Sequence, residues 1–249
     1  MKLSNLLIIA VTVLAVACGS QPTATEADSD IVTSQQLHKG DSTIYGLACD
    51  GCTDTILVFL RNIDADPDTL NILEATRRHR IFGRPGIGDK VAVVRNSADS
   101  TIADIVINME TLRGSWFYQV MPTPRPRPDL GDLSTAELLR QMPDSLRDSL
   151  MVPREYGMLI RGEGGVSHAG KYYTHDNDDD SPVEYPKRKN YRQWFLYNGK
   201  LVLTETERDS LGQEQPVSSD TATFLELTAD TLVLRFNTGV QGYYSKEEE

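Results

Sequence analysis

What the sequence has least of narrows its reading first. It holds three cysteines in 249 residues, too few for a small fold stapled by several disulfides. There is no Gly-x-Ser-x-Gly nucleophile elbow and no His-Glu-x-x-His motif, so neither an α/β-hydrolase centre nor a zinc protease centre is signalled. Asp and Glu are too scattered to nominate a catalytic pair, and the balance tilts away from an enzyme. The Cys-x-x-Cys pair Cys49/Cys52 has no second copy, which excludes a four-cysteine zinc site. The string Gly83-Arg84-Pro85-Gly86-Ile87-Gly88-Asp89 lacks the Lys-Ser/Thr ending of a phosphate loop and reads as a turn. Positive charge is also short: 25 Lys and Arg against 36 Asp and Glu give a net charge of −11. The basic clusters Arg77-Arg78-His79-Arg80 and Lys187-Arg188-Lys189 have no stacking aromatics between them. Each reads as a solvated strand face or loop, and nucleic acid is not an expected partner.

Long hydrophobic runs are equally scarce. The one present, Leu6 to Ala17, follows Met1-Lys2 and falls short of the roughly 20 apolar residues that span a bilayer. Ala15, Val16 and Ala17 then precede Cys18. This order resembles the lipobox of bacterial lipoprotein signal peptides, with Ala15 where the family usually has Leu, Val or Ile. The resemblance implies a signal peptide at 1–17, lipid on Cys18, and attachment to a membrane of the bacterial cell envelope, the outer membrane being the expected one. Residues 18–38 are small, polar and acidic; such a stretch has little to bury and reads as a flexible tether.

The remaining chain, about 210 residues, suffices for one large β domain or two small ones. We read it as mainly β, with an OB-like antiparallel barrel at 39–111 and a second antiparallel barrel at 112–249. In the first part, Ile56–Leu60, Leu70–Ala75, Lys90–Val94 and Ile102–Met109 are the expected strands, with Ile105, Ile107 and Met109 on one face. In the second, Tyr191–Tyr197, Asn198-Gly199 and Lys200–Thr204 predict a tight hairpin with a type I′ turn. Phe224–Thr228 and Leu232–Phe236 flank the turn Ala229-Asp230, and Tyr243-Tyr244 closes the last strand. A helical insertion at about 121–155 follows the proline-rich Met121–Pro128. It carries a Ser134/Glu137 capping box, a Leu133/Leu138 staple and a break at Pro143.

Residues 112–120 and 156–244 resemble the lipocalin-like domains of lipoproteins from Bacteroidetes-type bacteria. The matching features are Gly114-x-Trp116, Trp194-x-x-x-Asn198-Gly199-Lys200-Leu201-Val202-Leu203 and Leu225-x-Leu227-x-x-x-x-Leu232-Val233-Leu234. The resemblance implies an up-and-down barrel, lipocalin-like, with a tryptophan plugging one end. Tyr45-Gly46-Leu47-Ala48-Cys49-Asp50-Gly51-Cys52-Thr53-Asp54-Thr55 is similar to the start of NlpE-type envelope lipoproteins, whose members report surface or copper stress.

Cys49 and Cys52 carry the most chemical content. Outside the cytoplasm the pair is expected to form a disulfide; holding Cu(I), exchanging disulfides and remaining as free thiols stay open. His168 and His175 near Asp176, Asp178, Asp179 and Asp180 invite a metal reading. A calcium loop fails, however, since Ser181 stands where its glycine belongs and Lys187 where its Glu belongs, so this stretch reads as a solvated acidic loop. Trp116, Trp194, Tyr191 and Phe195 are the candidates for barrel core or ligand pocket. The expected function is a lipid-anchored, non-catalytic module binding a small apolar ligand, a glycan or an envelope protein. The alternative is a stress sensor using Cys49 and Cys52.

Overall fold

The computed structural model describes residues 38–125, 134–171, 173, 181–209 and 212–246. Cys18, the tether up to residue 37, Leu133, His175 and Asp176–Asp180 lie outside them. The chain is mainly β, in two barrels joined by a short helix.

The first barrel begins with the antiparallel meander β1 (Thr43–Ala48), β2 (Ile56–Leu60) and β3 (Asp68–Asn71). After helix α1 (Leu73–Arg77) come the two-residue β4 (Ile81–Phe82), then β5 (Lys90–Arg95) and β6 (Ala103–Asn108). β5 pairs with both β1 and β6. A parallel bridge from Asn71 to Ile102 brings β3 back to β6 and closes the ring. This order, with a helix between the third and fourth long strands, is that of an OB-like barrel. Leu57, Phe59, Leu70, Val91, Val93 and Val106 fill it. Gly46 allows this filling, because a Cβ there would lie 2.5 Å from the Leu60 carbonyl and 2.8 Å from the Phe59 ring.

Two strand expectations need correction here. The expected strand Leu70–Ala75 ends at Asn71, whose side-chain Oδ1 accepts from Leu73 N at 3.0 Å and turns the chain into α1. β6 likewise stops at Asn108. Its side chain accepts from the backbone of Glu110 and Thr111 and caps α2 (Met109–Leu112), the link between the barrels.

The second barrel takes the eight strands β7 (Gly114–Val120), β9 (Arg154–Ile160), β10 (Val166–Ala169), β12 (Tyr191–Tyr197), β13 (Lys200–Arg208), β14 (Glu214–Leu227), β15 (Thr231–Phe236) and β16 (Gly239–Ser245). Each pairs antiparallel with its neighbour in the chain, and β16 returns to β7 through Tyr244–Phe117 and Ser245–Trp116. Between β10 and β12 the ladder reduces to one bridge, Gly165–Gln193, so the up-and-down barrel is nearly closed. Asn198 and Gly199 have φ of 49° and 71°, the two positive values of a type I′ hairpin. The insertion between β7 and β9 carries β8 (Thr123–Pro124), α3 (Thr135–Gln141) and α4 (Asp144–Leu150), with the Ser134/Glu137 capping box formed. β8 pairs with β11 (Val183–Glu184) as a ribbon outside the barrel.

The two barrels share apolar side chains. Tyr45, Ala92, Ile107 and Met109 leave the OB-like barrel on its outer face and join one cluster with Trp116, Trp194, Leu196, Leu201 and Phe224. This explains why β5 reads as an unbroken apolar run: alternate side chains serve two different cores.

Candidate functional site

Along each strand of the second barrel, the inward side chains change character from one end to the other. On β9 the series runs Ile160, Met158, Tyr156; on β15 it runs Leu232, Leu234, Phe236; on β14, Phe224, Ala222, Asp220. On β7 Trp116 gives way to Tyr118, and on β12 Leu196 and Trp194 give way to Tyr191. The aliphatic end abuts the OB-like barrel and is filled. The other end opens as a mouth of about 290 Å³, walled by Tyr118, Tyr156, Tyr191, Phe236 and Tyr243.

The aromatic wall is ordered by edge-on packing. Tyr118 meets Tyr156 at 5.9 Å with an interplanar angle of 89° and Tyr243 at 5.2 Å with 78°, the arrangement that ring quadrupoles favour. The Tyr191 hydroxyl donates to Asp220 Oδ2 at 2.6 Å, and Lys189 Nζ lies 3.3 Å from the same oxygen. Burial pushes the Tyr191 phenol above its ordinary range, and its bond to Asp220 adds to the effect. Tyr243 is raised by burial and by Tyr118, and Tyr118 by burial and by Tyr156. The phenols are therefore protonated donors at neutral pH.

Arg188 and Lys189 reach the mouth on the segment that follows β11. Tyr156 and Tyr185 hold that segment across the barrel end, donating to the carbonyls of Pro186 at 3.1 Å and Val152 at 2.7 Å. Arg188 lies 5.6 Å from the Tyr156 ring centroid, and its Nη1 is 3.0 Å from His168 Nε2. His168 Nδ1 lies 3.2 Å from the Gly157 carbonyl, and Nε2 is also 3.3 Å from the Lys171 carbonyl, so the ring is held between two carbonyls and the Arg188 guanidinium. The cluster Lys187-Arg188-Lys189, read from sequence as a solvated face or loop, thus supplies two lining residues of the mouth. Its signal was charge next to the aromatic Tyr191, which spacing alone could not tell from a loop.

Of the residues nominated from sequence, the structure brings Tyr191 to the mouth and makes Trp116 and Trp194 core, 1% and 2% exposed. Their indole N–H groups donate to the carbonyls of Leu112 and Arg161, both at 2.8 Å. Phe195 belongs to neither core nor pocket: strand alternation turns it to the outer face between Trp194 and Leu196, where it stacks on His38 at 3.8 Å. His168 is a second-row support for Arg188.

Cys49 and Cys52 are both half-buried free thiols, so the expected disulfide is corrected. The two sulfurs have separate partners. Cys52 Sγ donates to the Cys49 carbonyl at 3.1 Å and accepts from Val58 N at 3.4 Å, while Cys49 Sγ points to the Leu47 carbonyl at 3.8 Å. Cys52 also lines a cavity of about 210 Å³ with Thr76, Arg84 and, from the second barrel, Leu227. Among the described residues, no group of three or more His, Cys, Asp or Glu is placed to hold a metal ion.

The chain matches no family model, no curated protein and no solved structure. The site therefore stands on its geometry.

Proposed function

We propose that the protein is a lipid-anchored lipoprotein of the bacterial cell envelope, held on the outer membrane through Cys18, whose lipocalin-like second barrel binds a small ligand without chemical conversion. The observation that carries this reading is the asymmetry of the barrel: a filled end against the OB-like barrel and an open, aromatic-walled end of about 290 Å³ with Asp220, Lys189 and Arg188 at its rim. Concave sites with aromatic walls and a few convergent polar groups are where small ligands bind. The anchor would hold such a mouth near the membrane. Two tests apply. Cys18→Ser is expected to move the protein out of the membrane fraction; retention there would remove the anchor from the proposal. Filling the mouth by Gln241→Trp on β16 is expected to abolish any ligand-induced rise in melting temperature of the full chain, and a rise that persists would relocate binding.

A second reading rests on the thiols. Cys49 and Cys52 are free and three residues apart in the stretch similar to NlpE-type lipoproteins, and Cys52 opens on its own cavity. Two soft sulfur donors suit Cu(I), and a copper- or redox-responsive sensor would use them. Anaerobic Cu(I) titration separates the readings: stoichiometric uptake lost in Cys49→Ser supports the sensor, and no uptake rejects it.

A further inference from the structure

We infer that the mouth of the second barrel takes a pyranose sugar ring rather than an acyl chain or another elongated apolar molecule; the inference rests on the ligand-binding reading above. Three observations lead to it. The first is depth. Trp194, Leu203, Ala222 and Leu234 are all at most 2% exposed and close the barrel below the mouth. An acyl chain has nowhere to extend, and a space of about 290 Å³ suits a single ring; it lies just under the roughly 300–1,000 Å³ range of sites for larger ligands.

The second observation is the mixture of surfaces. Tyr118, Tyr156, Tyr243 and Phe236 offer ring faces and edges, while Asp220, Lys189, Thr238 and Gln241 offer hydrogen-bonding groups on the same wall. A wholly apolar ligand would leave the remaining hydrogen-bonding capacity of these groups unanswered while displacing water from them. A pyranose matches them, because its C–H faces lie on aromatic rings and its hydroxyls both donate and accept.

The third is Asp220. Both of its protein partners, the Tyr191 hydroxyl and Lys189 Nζ, fall on Oδ2. Among the described residues no donor meets Oδ1, yet the side chain lines the mouth and is 26% exposed. Tyr191 and Lys189 thus fix the carboxylate while leaving one charged oxygen for a ligand hydroxyl. Lys189, itself 55% exposed, is positioned to donate to the adjacent hydroxyl oxygen. A carboxylate and an ammonium gripping neighbouring hydroxyls make the charge-assisted pair that gives such weak neutral ligands their affinity.

The test uses the full chain in detergent and saturation-transfer NMR with a panel of free hexoses and hexuronic acids, with sodium dodecanoate as the apolar probe. Saturation of ring protons is expected for at least one sugar, with affinity falling about tenfold or more in Asp220→Asn, the loss of one charged hydrogen bond. Lys189→Ala, at a side chain 55% exposed, is expected to weaken the same sugar and guards against a folding defect in Asp220→Asn. Dodecanoate binding that Gln241→Trp blocks, with no sugar bound, would overturn the sugar assignment and leave the ligand-binding mouth intact. No binding by any member of the panel or by dodecanoate would overturn both. Sugar binding untouched by Asp220→Asn and Lys189→Ala would also overturn the assignment, since it would lie elsewhere.

Discussion

Asn198 Oδ1 accepts hydrogen bonds from both the backbone N–H and the hydroxyl of Ser42, at 2.8 and 2.7 Å, across 156 residues of chain. Asp41 Oδ1 returns a contact by accepting from Asn198 N at 2.8 Å, and Thr43 Oγ1 accepts from Gly199 N at 3.2 Å. The Asn-Gly turn that forms the hairpin of the second barrel is thereby also its clasp on the first. A Cβ at Gly199 would lie 2.8 Å from Ile105 Cδ1 and 3.1 Å from Val94 Cγ2, at a φ of 71°. Gly199→Ala therefore meets both a strained backbone and a crowded neighbour, and is expected to cost about 1–3 kcal/mol. Asn198→Ala, which removes both bonds to the exposed Ser42 and leaves alanine at a φ of 49°, is expected to cost about 0.5–1.5 kcal/mol. Urea melts would check both, and a change below about 0.5 kcal/mol in each would contradict the clasp.

The two tryptophans are expected to matter equally for the barrel though they lie on different strands. Each is almost fully buried with its N–H satisfied by a carbonyl. Trp116→Ala and Trp194→Ala should each destabilise by about 3–5 kcal/mol, and Phe195→Ala, which removes only an outer stack on His38, by much less. Equal losses at Trp194 and Phe195 would mean that β12 faces the other way.

Alkaline pH is expected to weaken the fold through the tyrosines. Burial raises Tyr45, Tyr191 and Tyr243 above their ordinary range, and burial together with the Glu155 hydrogen bond pushes Tyr244 up to about 12. A group whose folded value is raised keeps its stabilising effect below the unfolded value, near 10 for tyrosine, and loses it as pH rises through the folded value. Stability should accordingly hold up to about pH 10 and fall above it. Tyrosinate absorbance should then rise together with loss of near-ultraviolet dichroism. Independent, gradual titration of all the tyrosines with the fold intact would contradict the burial.

At the acid end the sign reverses for Glu205. The Ser218 hydroxyl, the Asn190 backbone N–H and nearby Lys189 hold its carboxyl below the usual carboxylate value. Its contribution is present above that usual value and is lost as pH falls through the lowered one. Glu205→Gln is expected to flatten the acid limb of a pH–stability profile, and a limb of unchanged slope would show that other carboxylates dominate it.

Both cysteines should react with an alkylating agent without prior reduction. Cys52 is expected to be slower, because its sulfur is tied to the Val58 N–H and the Cys49 carbonyl. Mass spectrometry after timed labelling reads both outcomes, and two unreactive sulfurs would restore the bridge.

Much of the architecture was legible in local patterns. The Asn198-Gly199 turn, the alternation about Trp194 and Leu196, and the Ser134 capping box each involve residues within a few positions of one another, where periodicity and turn chemistry act directly. Leu70–Ala75 misled because Leu70 and Ile72 are both core residues whichever way the chain runs. Only the Asn71 side chain, seen in place, ends the strand. The mouth was less legible still. Tyr118, Tyr156, Asp220 and Tyr243 come from four strands spread over more than a hundred residues, and no spacing links them. Phe195 was read as barrel core or ligand pocket because outer faces are usually polar. Here His38, the last residue of the stretch expected to be tether, covers it.

Because β16 pairs with β7, the second barrel is a ring whose last segment meets its first, and this dictates an order of assembly. A chain synthesised from its N-terminus completes the five main strands of the OB-like barrel by Asn108, when β1 has at last met β5 and β5 has met β6. The cluster that takes up the outward apolar side chains Tyr45, Ala92 and Ile107 gains Leu112 and Trp116 soon afterwards, but Leu196 and Leu201 only about 90 residues later. During that interval the newborn molecule exposes a sticky flank. Ring closure waits for Tyr244 and Ser245. A nascent chain halted anywhere in β13 to β15 would lack the β16 link between β7 and β15 and carry unpaired strand edges, the form most prone to mispairing with its neighbours.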